Sequence, residues 1–388
     1  MSPTQQTATS VSVPLIDLKA QYASLRDETR QVVNDVLESQ YFINGPAVRE
    51  FEDALASYVG TSHAVGVSSG TDALLASLMA LGIGGHPSEF RDRAPDEVIT
   101  TTYSFFATGG AIWRAGALPV FVDIDPETYL MDVSQIEARI TPQTKAIMPV
   151  HLYGQCADMD AINAIAQARD LIVIEDAAQA IGATQNGVQA GAMSTVGCFS
   201  LFPTKNLGGL GDGGFCTTND EALAERLRQS RNHGMEPKYY HHWIGGNFRL
   251  DTLQAAGCLV KLPHLDSWHE GRRRNAAFYN EAFSGIESIV TPRIQEGNTS
   301  IYNQYVVRVP DRDACRAYLQ EHNISAEIYY PVPMHLQTCF EALGYTTGDL
   351  PVSERAAEET LALPIFAELT SEQLEHVAET LKAFVTSR

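Results

Sequence analysis

The sequence predicts an α/β protein with a large domain on a mostly parallel sheet and a smaller C-terminal α+β domain. Strand-like and helical runs alternate through the first half of the chain, which is typical of βαβ units with helices on both faces of the sheet. These runs are strand 98–101, helix 107–115, strands 120–123 and 146–150, helix 159–168 and strand 171–175. With 388 residues and 44% hydrophobic content, the chain can bury one large core and a smaller one.

The flanking segments complete the predicted architecture. A helical pattern at 20–38 and a second helix ending near 58 form a lead-in that is expected to clasp the large domain. A short strand at 63–67 follows it, and after 218 the pattern becomes mainly helical.

The last hundred residues predict the smaller domain, with a strand near 305–309 and a helix at 313–322. We place the lead-in and large domain at 1–255 and the small domain at 256–388. The polar, turn-rich stretch at 86–95 predicts an exposed loop, to which the sequence assigns no role.

Charge argues against a nucleic-acid partner. Acidic residues outnumber basic ones 47 to 27, for a formal charge of −20, which repels nucleic acid and anionic membrane. The one basic run, Arg272-Arg273-Arg274, lies in a helical pattern and is more typical of a solvated or salt-bridged face.

Other features predict a cytoplasmic protein. There is no long apolar span for a membrane helix, and the first 14 residues lack the basic start and apolar core of a secretory signal. The six cysteines are scattered without a C-x-x-C pair, which predicts buried, reduced thiols and neither a disulfide framework nor a metal site.

The most informative stretch is 197–214, where Lys205 stands between an apolar run and a glycine-dense loop. An apolar setting lowers the pKa of an ammonium group, and the neutral amine condenses with an aldehyde to form a Schiff base. The alternative is an ordinary loop lysine beside a tight turn, and this stretch alone does not decide between them.

The glycines at 209–214 match G-x-G-x-x-G as a string, but they do not predict a dinucleotide site. That fingerprint requires a strand before it and a helix after it. Here a β-rich run, 215–218, follows. We therefore interpret the glycines as a hairpin-like loop.

Two further positions could bind a ligand. The small residues around Gly70 and Thr71 open a helix after the strand at 63–67, so free backbone N–H groups could hold a phosphate. Asp176 ends the strand 171–175, where ligands of parallel sheets gather, and could hold a cationic ring nitrogen. For each, a simple helix N-cap is the open alternative.

Together, an anion site, an acid at a strand end and a Schiff-base lysine describe pyridoxal 5'-phosphate, which needs all three. The chain from residue 14 onward also resembles the DegT/DnrJ/EryC1/StrS family of nucleotide-sugar aminotransferases, which have the aspartate aminotransferase (type I) fold. The motifs that carry the resemblance are SGTDAL at 69–74, EDAAQA at 175–180, SLFPTKNLG at 200–208, GNFRLD at 246–251 and YPVPMHLQ at 330–337.

The resemblance implies a role for each of several residues. Lys205 is expected to hold the cofactor as a Schiff base and Asp176 to pair with its ring nitrogen. The remaining expectations are Gln179 near the ring hydroxyl, Phe105 stacked on the ring, Gly70, Thr71 and Ser200 on the phosphate, Asn247 reaching the phosphate from a neighbouring subunit, and Arg249 and His335 near the sugar nucleotide. A homodimer with shared active sites follows from the expectation for Asn247.

Two departures from the family pattern stand out. The residues around 86–95 are inserted where the family runs directly from a glycine turn into the next strand. Relatives that dehydrate sugars carry histidine at the position of Lys205, so the lysine favours transamination.

The expected activity is transfer of an amino group from L-glutamate to a keto group of a nucleotide-linked sugar, for amino-sugar and polysaccharide biosynthesis. The segments at 155–162 and 249–256 look most like the branch that acts on 3-keto sugars, including UDP-linked 3-oxo-glucuronates, whose carboxylate Arg249 could pair with. The alternatives are a C4-keto sugar aminotransferase on a UDP- or dTDP-sugar and a non-catalytic regulatory or binding protein on the same fold.

Overall fold

The structure, a computed structural model, describes residues 11–85 and 94–387, so nearly all of the predicted loop at 86–95 lies outside the described residues. The helices are α1 (Leu18–Ser39), α2 (Pro46–Val59), α3 (Gly70–Ala80), α4 (Ala107–Arg114), α5 (Met159–Arg169), α6 (Glu221–Ser230), α7 (Thr252–Lys261), α8 (Leu265–Ala282), α9 (Arg312–Glu321), α10 (Pro351–Glu359) and α11 (Ser371–Thr386). The strands are β1 (His63–Val67), β2 (Glu97–Thr101), β3 (Leu118–Val122), β4 (Thr144–Met148), β5 (Ile172–Asp176), β6 (Thr184–Gln185), β7 (Val188–Gln189), β8 (Val196–Ser200), β9 (Gly214–Thr218), β10 (Asn298–Thr299), β11 (Tyr305–Arg308) and β12 (Thr360–Leu363).

The central sheet has the strand order β1-β9-β8-β5-β4-β2-β3. Neighbouring strands from β8 to β3 pair in parallel, whereas β9 pairs antiparallel with both β1 and β8. The predicted α/β class with a mostly parallel sheet is therefore confirmed. Helices cover both faces, so the strands are buried almost throughout, which explains their continuous apolar runs.

The connection from β8 to β9 contains the glycines at 209–214, which match G-x-G-x-x-G but were not interpreted as a dinucleotide site. Ser200 pairs with Gly214 and Gly197 with Thr217 in antiparallel register, so the hairpin-like interpretation is confirmed. A Cβ at Gly214 would lie 2.5 Å from the carbonyl oxygen of Ser69. Only a bare backbone can pass this close to the start of α3.

The C-terminal part has its own core. β11 and β12 pair antiparallel, and α8, α9 and α11 pack around them. The lead-in helix α2 packs into the core of the large domain, as predicted, whereas Val13, ahead of α1, pairs with Ile324 and is buried in the C-terminal core. The predicted domain boundary at 255/256 lies within α7 and stays a prediction.

Two smaller expectations also change. Arg272 is buried, and its guanidinium donates to the carbonyl oxygens of Tyr302 and Ile365, at 2.9 and 2.8 Å, so it ties α8 to the chain. The predicted salt-bridged or solvated face holds for the other two arginines, because Arg273 pairs with Glu270 at 3.1 Å and Arg274 is exposed. Five cysteines are buried as predicted, whereas Cys339 is exposed. Of the helices described, none combines the length and apolar composition needed to cross a membrane.

Candidate active site

A cavity of about 460 Å³ opens at the carboxyl ends of the parallel strands, where ligands of such sheets bind. Its walls come from the N-terminus of α3, the segment after β2, the end of β5 and the loop after β8. It brings together seven of the residues singled out in the sequence: Gly70, Thr71, Phe105, Asp176, Gln179, Ser200 and Lys205.

Lys205 lies in the tight turn that follows β8. Its backbone N–H donates to the carbonyl of Phe202 at 2.8 Å, and the buried Lys261 of α7 donates to the carbonyl of Gly208 at 2.6 Å, which fixes the loop from behind. Burial lowers the pKa of Lys205 to about 8, although the nearby Asp176 carboxylate opposes the shift. The neutral form of the amine, which the Schiff-base interpretation requires, is therefore far more populated near pH 7 than that of an ordinary lysine.

Asp176 is 4% exposed at the end of β5. Its Oδ2 accepts a hydrogen bond from the Thr108 hydroxyl at 2.7 Å, and its Oδ1 accepts one from the N–H of Ala178 at 3.3 Å. Burial raises the pKa of the carboxyl, while the hydrogen bond from Thr108 opposes that rise. A turn follows the residue, so Asp176 is not a helix N-cap.

The start of α3 provides both a helix N-cap and a possible phosphate site, the two alternatives that the sequence left open. Ser69 is the N-cap, and its hydroxyl accepts a hydrogen bond from the N–H of Asp72 at 3.0 Å. The N–H groups of Gly70 and Thr71 have no intrahelical partner, and both residues line the cavity. A Cβ at Gly70 would lie 2.7 Å from the Cβ of Ser200, so glycine keeps this anion cradle open.

Gln179 and Phe105 form the far wall with Tyr330. The Gln179 side chain accepts from the N–H of Tyr153 at 2.7 Å and donates to the Tyr330 hydroxyl at 3.0 Å. The ring of Phe105, which is 57% exposed, lies 6.0 Å from that of Tyr330. An exposed aromatic face beside the lysine can stack on a planar ligand.

Sequence reasoning missed three residues that shape this site. Tyr330 was recognised only as part of a motif, although its ring lines the cavity. No pattern in the residues around Thr108 indicates its role, because its hydrogen-bond partner Asp176 is distant in sequence. The third is His151, whose Nε2 lies 2.8 Å from the Glu175 carboxylate directly behind Asp176, with both side chains fully buried.

Three predicted residues do not line the cavity of their own chain. Asn247 is exposed beside Asn232. Arg249 donates to Asn232 at 2.8 Å, and its buried Nε has no hydrogen-bond partner. His335 is 1% exposed, and its ring nitrogens contact Thr102 at 2.8 Å and Glu354 at 3.1 Å. His335 therefore joins two structural elements and does not line the cavity, and its expected place near a sugar nucleotide stays a prediction.

The geometry can be compared with known proteins. The model of the DegT/DnrJ/EryC1/StrS aminotransferase family matches residues 23–382. The chain belongs to this family. Three relatives named as enzymes cover at least 95% of it. They are UDP-N-acetyl-3-dehydro-α-D-glucosamine 3-aminotransferase from Acidithiobacillus ferrooxidans (44% identical; 98% of each chain), UDP-2-acetamido-2-deoxy-3-oxo-D-glucuronate aminotransferase from Pseudomonas aeruginosa (42%; 95% of this chain, 99% of the relative) and dTDP-3-amino-3,4,6-trideoxy-α-D-glucose transaminase from Streptomyces venezuelae (41%; 95% of each).

One relative bears a different kind of name. A protein from Geobacillus stearothermophilus called a pleiotropic regulatory protein is 49% identical, covering 96% of this chain and 99% of its own. Two solved aminotransferase-like structures share the fold. S. venezuelae DesV is 41% identical with a TM-score of 0.92, covering 96% of this chain and 98% of that one. Bacillus subtilis NtdA, solved with bound cofactor PMP, is 31% identical with a TM-score of 0.87, covering 98% of this chain and 87% of that one.

The cavity fits pyridoxal phosphate, the cofactor of DegT/DnrJ/EryC1/StrS aminotransferases. The opening above Gly70 suits a phosphate, the buried Asp176 carboxylate suits a ring nitrogen, and the Lys205 amine makes no hydrogen bond with any described residue. Across residues 11–85 and 94–387, no cluster of three His, Cys, Asp or Glu side chains is arranged to bind a metal ion.

Proposed function

We propose that this enzyme transfers an amino group from L-glutamate to the 3-keto group of a nucleotide-linked sugar, with a UDP-linked 3-oxo sugar of the glucuronate type as the favoured acceptor. The observation that carries the proposal is the pairing of Lys205 and Asp176 across one cavity. It provides a proton-moving amine and a fixed negative charge.

The bound cofactor supplies an electron sink that stabilises negative charge on the carbon losing its proton. Asp176 keeps the ring nitrogen protonated, because a buried carboxylate favours a cation beside it. Lys205 would hold the cofactor and, as the free amine, would remove the α-proton of the donor and return a proton on the cofactor side of the transferred nitrogen. Its pKa of about 8 suits both directions near neutral pH.

The names of the relatives support C3 as the position of amination. The Acidithiobacillus and Pseudomonas relatives act on 3-dehydro and 3-oxo sugars, and the dTDP-sugar relative makes a 3-amino sugar. Arg249 retains a buried Nε without a partner, which could serve a uronate carboxylate. A C4-keto sugar is the alternative acceptor.

A second subunit is part of the proposal. Lys205 is the only cation among the described residues that line the cavity, yet cofactor, donor and acceptor are all anionic. Asn247 and Arg249 lie outside it, near the exposed segment 41–43 and the aromatic- and histidine-rich segment 239–244, where Ile244 is 83% exposed. A homodimer that buries these segments would bring both polar side chains to the partner's cavity.

The regulatory name of the Geobacillus relative favours one different function, a regulator on the same fold. The two are separated by the visible absorbance of the purified protein with pyridoxal phosphate, before and after L-glutamate is added. We expect the wild-type protein to show an absorbance band that glutamate shifts to shorter wavelength. The Lys205→Ala variant should lack this band. A protein that binds no cofactor is the outcome expected of a regulator.

The acceptor is then identified by supplying UDP-linked 3-oxo and 4-oxo sugars separately to the glutamate-treated enzyme. We expect amination of the 3-oxo sugar and recovery of the original absorbance. Amination of the 4-oxo sugar alone would replace C3 with C4 in the proposal.

A further inference from the structure

A second recess adjoins the active-site cavity. Its volume is about 350 Å³, and it shares Thr71, Phe105 and Ala107 with the cavity wall. The rest of its lining is largely aromatic with one cation, and consists of Phe106, Gly110, Trp113, Arg114, Cys339 and Phe340. We call it the aromatic recess.

Two aromatic side chains of the recess are open to solvent, whereas Phe340 beneath them is buried. Phe106 and Trp113 are 45% and 42% exposed. The Phe106 and Phe340 rings stack with centroids 5.5 Å apart, and the Trp113 ring meets Phe340 edge-on at 6.0 Å. Exposed, grouped aromatic faces beside an active site mark a place where a ligand is buried.

The helix under the recess is built to hold these rings. α4 contains two consecutive glycines, Gly109 and Gly110, although each costs about 1 kcal/mol of helix stability relative to alanine. A Cβ at Gly110 would lie 3.0 Å from the Phe106 ring, and one at Gly109 would lie 3.2 Å from the Phe340 ring. The absent side chains are what allow both rings to lie against the helix.

We propose that the aromatic recess binds the base of the nucleotide-linked acceptor. This inference rests on the proposed function. The sugar carbonyl must reach Lys205, so the base at the other end of the molecule must lie outside the lysine cavity and be continuous with it. Among the described residues, the recess meets both conditions through the shared wall at Thr71 and Phe105.

The chemistry of the lining matches a nucleoside diphosphate. Planar bases stack on exposed aromatic faces, which Phe106 and Trp113 supply. The exposed Arg114 forms no ion pair with any described residue and can hydrogen-bond a phosphate or a base carbonyl at the rim. A purely apolar partner would leave that guanidinium unused.

The first test measures the dissociation constant of UDP, and then of dTDP, with the holoenzyme. Trp113→Ala should weaken binding by about 5- to 150-fold, the range expected for loss of one stacking contact, and Trp113→Phe should restore most of it. Trp268→Ala is the matched control, because that indole lines neither cavity, and it should leave the dissociation constant unchanged.

The second test needs no substitution. Cys339 is the one exposed cysteine and lines the recess, so alkylation of the holoenzyme with iodoacetamide should modify it selectively, and UDP should slow the reaction. If UDP binds but neither Trp113→Ala nor Cys339 reactivity responds, the recess assignment is overturned and the proposed function stands. If neither nucleotide binds while glutamate still reacts, both the recess assignment and the proposed nucleotide-sugar acceptor are overturned. A Cys339 that is unreactive without UDP would mean that a second copy covers the recess, which also overturns the assignment.

Discussion

The hydroxyl of Thr108 donates to Oδ2 of Asp176 across 2.7 Å, and it is the one side chain that hydrogen-bonds this carboxylate among the described residues. Thr108 in turn lies 2.9 Å from the hydroxyl of Ser104. The start of α4 therefore orients the acid at the end of β5. Since burial raises the pKa of Asp176 and this bond opposes the rise, Thr108 helps to keep the acid ionised.

Thr108→Val should lower the rate of the glutamate half-reaction by roughly 10- to 150-fold, because a hydrogen bond to a charged group contributes about 1.5–3 kcal/mol. The ionised carboxylate is the working form, so a higher pKa at Asp176 moves the acid limb of the pH–rate profile to higher pH. Thr108→Ser, which keeps the hydroxyl, should retain the original limb. An unmoved limb in the valine variant would contradict a positioning role.

Replacement of Lys205 tests the proton transfer. Lys205→Ala should reduce transamination by at least about 10²- to 10⁴-fold, the usual contribution of one general acid–base group, while cofactor binding by equilibrium dialysis persists. Lys145→Ala, at an exposed lysine of β4, should have wild-type activity. Full activity in Lys205→Ala would refute the assignment.

The pKa of Lys205 sets a pH dependence. With a pKa of about 8, the neutral amine increases about tenfold per pH unit below that value and levels off above it. The rate of pyridoxal phosphate uptake by the apoenzyme should follow this curve between about pH 6 and about pH 9. Free Nα-acetyl-lysine, measured in parallel, corrects for titration of the cofactor itself. A rate that still rises steeply above pH 9, as that of an ordinary lysine does, would show that the amine is not desolvated.

The buried pair behind the site should matter for stability. Both His151 and Glu175 are fully buried, and Glu175 also accepts from the N–H groups of Gly191 and Met193. His151→Leu should cost about 1–3 kcal/mol of unfolding free energy by removing one hydrogen-bond partner of the buried carboxylate, measured by urea denaturation of the apoenzyme. Arg169→Ala, which breaks an exposed ion pair with Glu137, should cost less than about 1 kcal/mol.

Sharing of the active site between subunits can be tested by complementation. Lys205→Ala and Asn247→Leu subunits should each be nearly inactive alone. After denaturation and mixed refolding, roughly a quarter of wild-type activity should return, because half of the dimers are mixed and each has one intact site. If Asn247 acts on its own chain, mixing restores nothing.

Local sequence patterns were sufficient for the framework of the site. The alternation of strand and helix predicted the mostly parallel sheet, because apolar periodicity depends only on neighbours along the chain. Lys205, Asp176 and Gly70 were each found from the residues beside them, and the ends of parallel strands at one edge of a sheet explain why all three meet in one cavity.

What the sequence by itself determined is thus the fold class and a short set of candidate site residues, Lys205, Asp176 and Gly70. Tertiary structure alone decided the contacts between residues far apart in the chain: Thr108 against Asp176, His335 locked between Thr102 and Glu354, and Cys339 exposed beside Trp113. Such contacts depend on how helices and loops pack onto the sheet, and no short-range periodicity encodes that packing.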